Sequence, residues 1–389
     1  MTTLGDLVVR GVLRFNDGYR TKQAEHAQTG FRILRAGDVN DGTIQPFGPD
    51  FVSSDFAGSI GEKVARAGDV VLTTKGTVGR VGYVSAVHEP VVYSPQVCFF
   101  RSQDQDVVVQ PFLRYWLQSP EFTGQSSYLK GASDMAPYIS LRDLSSTTIT
   151  LPEAAVQRAI AQVLGALDDK IAANARVAAA ADGLVRGMVE QFGGSDVTTI
   201  GAIATTHRAQ VGPPFADTEY VGLEHVPRRH MWMTDSGSAT GLTSGKFIFE
   251  PGDVLFGKLR PYFHKVVVAD RRGVCSTDIL VVRPKTQQFA GLVWALLASD
   301  AVVERLSAMT EGTRMPRTNW ADLAACEVPW PRDEEAAQLS QYVQALGARA
   351  SAAEAESRGL TTLRDALLPN LMSGQLAVCK LGTTDPQGP

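Results

Sequence analysis

ARAGDVVLTTKGTVGRVGYV at residues 65–84 and FEPGDVLFGKLRPYFHKVVV at residues 249–268 are the two stretches whose reading decides the fold. They align Gly68 and Asp69 with Gly252 and Asp253 at an offset of 184. The likeness continues downstream: YSPQVCFFRS (93–102) is answered by CSTDILVVRP (275–284), and YWLQSPEF (115–122) by WALLASDAV (294–302). GASDMAPYISLRDLSSTTITLP (131–152) is then answered by GTRMPRTNWADLAACEVPWP (312–331), with Asp143, Leu144 and Pro152 matching Asp322, Leu323 and Pro331 at an offset of 179. Self-similarity over this length means a tandem of two divergent units, each about 180 to 195 residues long.

Within each unit the pattern has two parts. Short β-rich runs come first (FRILRA, DVVLTT, VGYVSA and VCFFRS; then TEYVGL, KFIFE, KVVVAD and DILVVRP), punctuated by Gly, Pro and Asp and followed by a helical run, PFLRYWLQS or AGLVWALLAS. A helix closes each unit. Ile160, Leu164, Leu167, Ile171, Asn174, Ala178, Ala181, Val185, Met188 and Phe192 keep a 4-3-4-3 spacing, the seam of a coiled coil. The same seam 179 residues on is Leu339, Val343, Leu346, Ala350, Ala353, Ser357, Leu360, Arg364, Leu367 and Leu371. The constant offset favours pairing of the two helices over packing of each on its own domain. Pro369 predicts an end or kink near Leu368 and places Leu371 outside the helix.

The expected fold class is therefore α+β: two tandem globular domains, each followed by a long helix, the two helices pairing as a coiled coil. The expected boundaries are 1–151 and 193–330 for the globular domains, 152–192 and 331–376 for the helices, and 377–389 for a disordered tail.

Composition narrows the function. The chain has 389 residues, 44% hydrophobic and 20% charged, with a net charge of −4, so it is globular and does not coat nucleic acid by bulk electrostatics. No apolar stretch approaches the ~20 residues that cross a bilayer, and the first residues lack an apolar signal core. Cys98, Cys275, Cys326 and Cys379 lie far apart, encoding neither a disulfide framework nor a zinc clip. A cytoplasmic protein without a membrane partner is expected.

Catalytic patterns fail one by one. There is no H-E-x-x-H and no G-x-S-x-G, and His225 and His230 stand five apart, which does not converge on a metal. SGSATGLTSGKF has Thr240 where a phosphate loop needs its first glycine and Phe247 where it needs a hydroxyl. No Asn/Asp-Pro-Pro-aromatic tetrapeptide of adenine methyltransferases is present. The pattern is that of a binding protein, with no catalytic or metal residue expected.

The G-D-V-L runs, the Leu-Pro and Trp-Pro steps into helices, and above all LPEAAVQRAIAQVLGALDDKIAANARV (151–177) and LRDALLPNLMSGQLAV (363–378) resemble the DNA-specificity (S) subunits of type I restriction-modification systems. The resemblance covers nearly the whole chain. It implies that each globular unit is a target-recognition domain reading half of a split target in double-stranded DNA, and that the two helices pair as an antiparallel coiled coil, a spacer docking adenine methyltransferase (M) subunits, two of them, with restriction (R) subunits. Catalysis, S-adenosylmethionine, ATP and magnesium would belong to those partners, with no cofactor in this chain. A coiled-coil interaction scaffold without DNA specificity is the alternative.

Candidate DNA-binding residues follow from local chemistry. Lys258, Arg260, Tyr262, His264 and Lys265 interleave cations with aromatic rings in one turn. The equivalent turn of the first unit offers Lys75, Thr77, Arg80 and Tyr83. Polar, Gly-led loops add Lys130 and Tyr138 in one unit and Arg314, Arg317 and Asn319 in the other. Gln96 and Asn319 carry amides of the kind that read adenine. Each has an ordinary reading beside it, a solvated hairpin for the turns and a plain turn residue for the amides. Candidate helix-pairing residues are Ile160, Leu164, Leu167, Ile171, Val185, Met188, Leu339, Val343, Leu346, Leu360 and Leu367.

Overall fold

The computed structural model describes the chain apart from residues 41, 45–47, 131–137, 192–195, 216, 310–314 and 379–389, and apart from the side chains of 43 and 128–130. It divides into two compact units, residues 1–169 with 362–389, and residues 170–361. Each unit thus takes part of each long helix.

In the first unit the core sheet consists of β1 (Leu13–Asp17), β2 (Val70–Thr73), β3 (Val81–Tyr83) and β4 (Val97–Ser102), in the antiparallel order β1-β4-β2-β3. In the second unit β5 (Ala204–His207), β6 (Val254–Gly257), β7 (Val266–Val268) and β8 (Ile279–Pro284) repeat that order as β5-β8-β6-β7. The two central strands of each sheet, β4 and β2, then β8 and β6, are runs rich in β-branched and aromatic residues and buried almost throughout, as strands covered on both faces require. A second small sheet in each unit contains one parallel pair, Phe31–Leu34 with Val91–Tyr93 and Glu219–Val221 with Gly273–Cys275.

The repeated Asp explains how β2 and β6 begin. Asp69 accepts from the Arg66 amide at 2.8 Å, and Asp253 from the Glu250 amide at 2.8 Å, closing the turn before each strand. Both carboxylates then meet an arginine of the neighbouring strand: Arg101 reaches Asp69 at 2.6 and 2.7 Å, and Arg283 reaches Asp253 at 2.7 Å twice. Tyr93 adds a hydroxyl at 2.6 Å to Asp69, and burial, with the carboxylate beside it, pushes that phenol far up.

The long helices are α1 (Ala154–Gln191) and α2 (Asp333–Met372). In the first unit Ile160, Ala161 and Leu164 pack in one core with Leu371, and Leu367 lies against it. In the second unit Ala178, Ala181 and Val185 share a core with Ala336, Val343 and Ala350, with Met188 and Leu346 against it. Sequence-early residues of one helix meet sequence-late residues of the other in both units, so the pairing is antiparallel. Asn174, on the seam, donates to Glu356 at 2.9 Å. The buried line of α2 also takes in Ser340 and Gly347, while Leu339, Leu360, Leu167 and Ile171 are half-buried.

Pro369 corrects an expectation. The helix runs through it to Met372, and Leu371 is buried inside the first unit's core. The carbonyl of Asp365, which loses its partner amide at Pro369, belongs to an exposed residue near the helix end. The helix ends instead at Gly374 (φ 74°), where the Gly374 amide donates to Leu371 at 3.3 Å and the Leu376 amide to Asn370 at 3.0 Å. Val378, inside the span expected as a tail, packs against the core; residues 379–389 lie outside the described ones. Among the described residues no helix is long and apolar enough to cross a membrane.

Candidate nucleic-acid interface

The turn between β2 and β3 carries Lys75, Thr77 and Arg80; the turn between β6 and β7 carries Lys258, Arg260, Tyr262, His264 and Lys265. In each unit the structure ties this turn to the loop that precedes a short helix, Leu141–Ser146 or Trp320–Ala324. A single antiparallel bridge joins Lys75 to Tyr138, and another joins Leu259 to Arg317. The Ile139 amide donates to the Thr74 carbonyl at 3.0 Å, and the Thr318 amide to the Lys258 carbonyl at 3.0 Å. Two loop pairs nominated separately from sequence are therefore one site per unit, built the same way twice. The strand that follows supports each turn from below: the amides of Thr74 and Lys75 donate to the Gln96 carbonyl, and that of Lys258 to the Asp278 carbonyl at 2.8 Å.

In the first unit Lys75, Thr77, Gln96 and Tyr138 are exposed, Tyr138 by 47%. Arg80 is half-buried and donates to the Val39 carbonyl at 3.3 Å, while the guanidinium of Arg114 stands 5.5 Å above the Tyr83 ring. Gln96 accepts from the Ala36 amide at 3.4 Å. The side chain of Lys130 and the whole of Arg314 lie outside the described residues.

The second unit revises the expected roles. His264 is 3% exposed; its Nε2 donates to the Ala298 carbonyl at 2.9 Å and its Nδ1 faces Asp300 at 3.2 Å, so it anchors the turn and does not face a partner. Burial lowers its pKa, against the pull of the Ala298 carbonyl. Lys265 donates to the Leu223 carbonyl and Lys258 to that of Thr277 at 2.5 Å, and burial holds both ammonium groups below their ordinary pKa. Arg317 is paired with Asp278 at 2.5 Å. Asn319 is a helix cap: its Oδ1 accepts from the Asp322 amide at 3.1 Å and its Nδ2 donates to the Asp322 carboxylate at 2.7 Å, as Ser140 caps the equivalent helix of the first unit. Its amide oxygen and one N–H are engaged in the cap, the turn role that stood beside base reading.

What remains outward-facing is Arg260 with its neighbours. Phe263 lies 5.6 Å from the Arg260 guanidinium and 3.8 Å from that of Arg228, and Tyr262, 54% exposed, meets Phe263 edge-on at 4.8 Å. Sequence reading missed Arg228, which lies outside the turn and enters only through the ring contact. It also missed Arg101 and Arg283, although both stand at matching places in the repeat. Among the described residues no group of His, Cys, Asp and Glu could hold a metal ion.

Two units that repeat one core-sheet order, each with a bridged loop pair, define a tandem α+β protein. Residues 3–180 match the family model of the type I restriction modification DNA specificity domain. Among curated relatives, the chain is 28% identical over 140 residues to the Type I restriction enzyme EcoDI specificity subunit of Escherichia coli, covering 35% of this chain and 31% of that one. It is 27% identical over 167 residues to the MjaVIII specificity subunit of Methanocaldococcus jannaschii, covering 42% and 39%. The matches thus span between 31% and 39% of the length of those relatives. The fold extends further: 93% of this chain superposes on 94% of the type-I restriction-modification S subunit from M. genitalium, with a TM-score of 0.56 at 13% identity.

Proposed function

We propose that this chain is the non-catalytic DNA-recognition subunit of a type I restriction-modification system. Each unit reads one half of a split target in double-stranded DNA through its bridged loop pair, and the paired helices position adenine methyltransferase subunits, two of them, and restriction subunits. S-adenosylmethionine, ATP and magnesium act in those partners. The observation that carries this reading is the repetition of one loop-pair construction in both units, on a chain whose residues 3–180 match the DNA specificity domain model. Two similar sites on one chain suit a target of two half-sites, as a symmetric dimer suits a palindrome. The near-neutral overall charge fits a protein whose cationic groups are concentrated in local turns.

The test is methylation mapping with the methyltransferase subunit present. The pure chain is expected to transfer no methyl group. The complex is expected to methylate a bipartite motif, of which one half alone changes when residues 1–150 are replaced by the corresponding domain of a relative. Methyl transfer by the pure chain, or a motif that changes in both halves, would overturn the reading.

A further inference from the structure

We propose that Arg260 is a base-reading residue of the second unit, specific for the major-groove edge of guanine, and that Arg228 holds the adjoining phosphate. The inference rests on the DNA-recognition reading and adds to it the base class and the residue.

The backbone supplies the first argument. Arg260 is left-handed (φ 51°, ψ 68°). The equivalent position of the first unit, 184 residues earlier, is Gly76, also at positive φ (79°). Glycine takes this conformation freely, whereas a residue with a Cβ is strained in it. One unit thus satisfies the turn with the residue its backbone prefers, and the other carries a long cationic side chain there against that preference. Strain at an exposed residue held by its surroundings points to a role for the side chain. The surroundings hold it firmly: the Arg260 amide donates to the Pro316 carbonyl at 2.8 Å, the Phe263 amide to the Arg260 carbonyl at 2.8 Å, and buried His264, itself at φ 51°, fixes the far end.

Charge supplies the second. Lys258, Lys265 and Arg317 spend their cations on carbonyls or on Asp278. Among the described residues, Arg260 and Arg228 have neither a carboxylate nor a carbonyl partner, and both are exposed. They converge on one ring, that of Phe263. Two like charges held over one ring repel, and acceptors from outside relieve that repulsion. A guanidinium presents a planar fork that matches O6 and N7 of guanine in a bidentate contact, which a lysine in the same place does not reproduce.

The experiment uses the full chain in complex with its methyltransferase subunit and duplexes carrying the methylated motif. Each guanine of the half-site read by the second unit is replaced in turn by 7-deazaguanine, which keeps base pairing and removes N7. Wild type is expected to lose about tenfold in affinity at one such position. Arg260→Lys and Arg260→Gly are expected to lose that sensitivity, with Arg260→Gly melting no lower than wild type because glycine suits the turn. Arg228→Gln is expected to weaken every sequence alike and to flatten the salt dependence by about one ion. The proposal is overturned by a half-site without a sensitive guanine, by Arg260→Lys retaining the sensitivity, or by Arg260→Gly weakening all sequences equally. Absence of any sequence preference in the wild-type complex would instead overturn the DNA-recognition reading itself.

Discussion

Asp168 and Arg364 are 196 residues apart in sequence and 2.9 Å apart in the fold. The same carboxylate receives Arg114 at 2.6 Å and the Tyr115 hydroxyl at 2.8 Å, so α1, α2 and the helix Gln110–Trp116 meet at one mostly buried anion. The position 179 residues on from Asp168 is Gly347, and there the space is filled by the rings of Trp232 and Trp294. Matching places in the two helices are therefore packed by opposite means, charge in one unit and aromatic rings in the other.

Removing the anion strands one cation and leaves a second with half its partners. Asp168→Ala leaves Arg114, whose side chain is 13% exposed, without its carboxylate, while Arg364, 25% exposed, keeps Asp365 at 2.8 Å. The expected cost is about 3 kcal/mol, the lower end for breaking a buried pair, because Arg364 can turn partly to water. Tyr115→Phe removes one hydrogen bond and is expected to cost about 1 kcal/mol. Urea unfolding curves monitored on the first unit measure both, and equal effects from the two variants would show that Asp168 acts as a plain hydrogen-bond acceptor.

The two repeated strand-initiating aspartates are expected to differ. Asp69 is enclosed with Arg101, their side chains 2% and 7% exposed, whereas the side chain of Arg283 beside Asp253 is 36% exposed. Asp69→Ala buries an unpaired guanidinium and should cost about 3 to 5 kcal/mol. Asp253→Ala still loses its turn bond to the Glu250 amide, but its arginine reaches solvent, and about 1 to 3 kcal/mol is expected. The comparison is made by differential denaturation of the two variants, and a larger loss for Asp253→Ala would contradict the burial argument.

Salt dependence separates the free cations from the engaged ones. Lys75 is exposed and, among the described residues, has no carboxylate partner, whereas Lys265 is held by the Leu223 carbonyl. Lys75→Gln is expected to lower the slope of log affinity against log salt by about one without altering the motif, as loss of a phosphate contact does. Lys265→Gln should leave the slope alone and lower stability. Titrations of DNA binding between low and physiological salt decide the matter, and an unchanged slope for Lys75→Gln would remove it from the interface.

The repeat, the order of strands and helices, and the seam of α1 were legible because periodicity and offset are carried by many residues at once. Ile160, Leu164, Ala178, Ala181 and Val185 are buried as their spacing predicts. Roles of single polar residues were less legible. His264 and Asn319 have the chemistry of DNA readers, and only the neighbours that long-range folding brings, Ala298 and Asp300 for one and the capped helix for the other, show that they build the turn. Pro369 misled for a related reason: a lost hydrogen bond near a helix end is cheap where the orphaned carbonyl belongs to an exposed residue, and exposure is a tertiary property.

Glycines in the long helices offer the last contrast. A methyl group at Gly347 would stand 2.9 Å from the Trp232 ring and 3.5 Å from that of Trp294, and Trp232 is fully buried, so the ring has nowhere to go. At Gly183, inside α1, the same methyl would meet open space. Replacing glycine by alanine in a helix interior stabilises by roughly 0.5 to 1 kcal/mol when nothing clashes, and overpacking costs about 1 to 3 kcal/mol. Gly183→Ala is therefore expected to raise the thermal midpoint and Gly347→Ala to lower it, although both gain the same helix propensity. Calorimetry of the two variants reads the difference directly, and a midpoint raised by Gly347→Ala would mean that the tryptophan contact yields without cost.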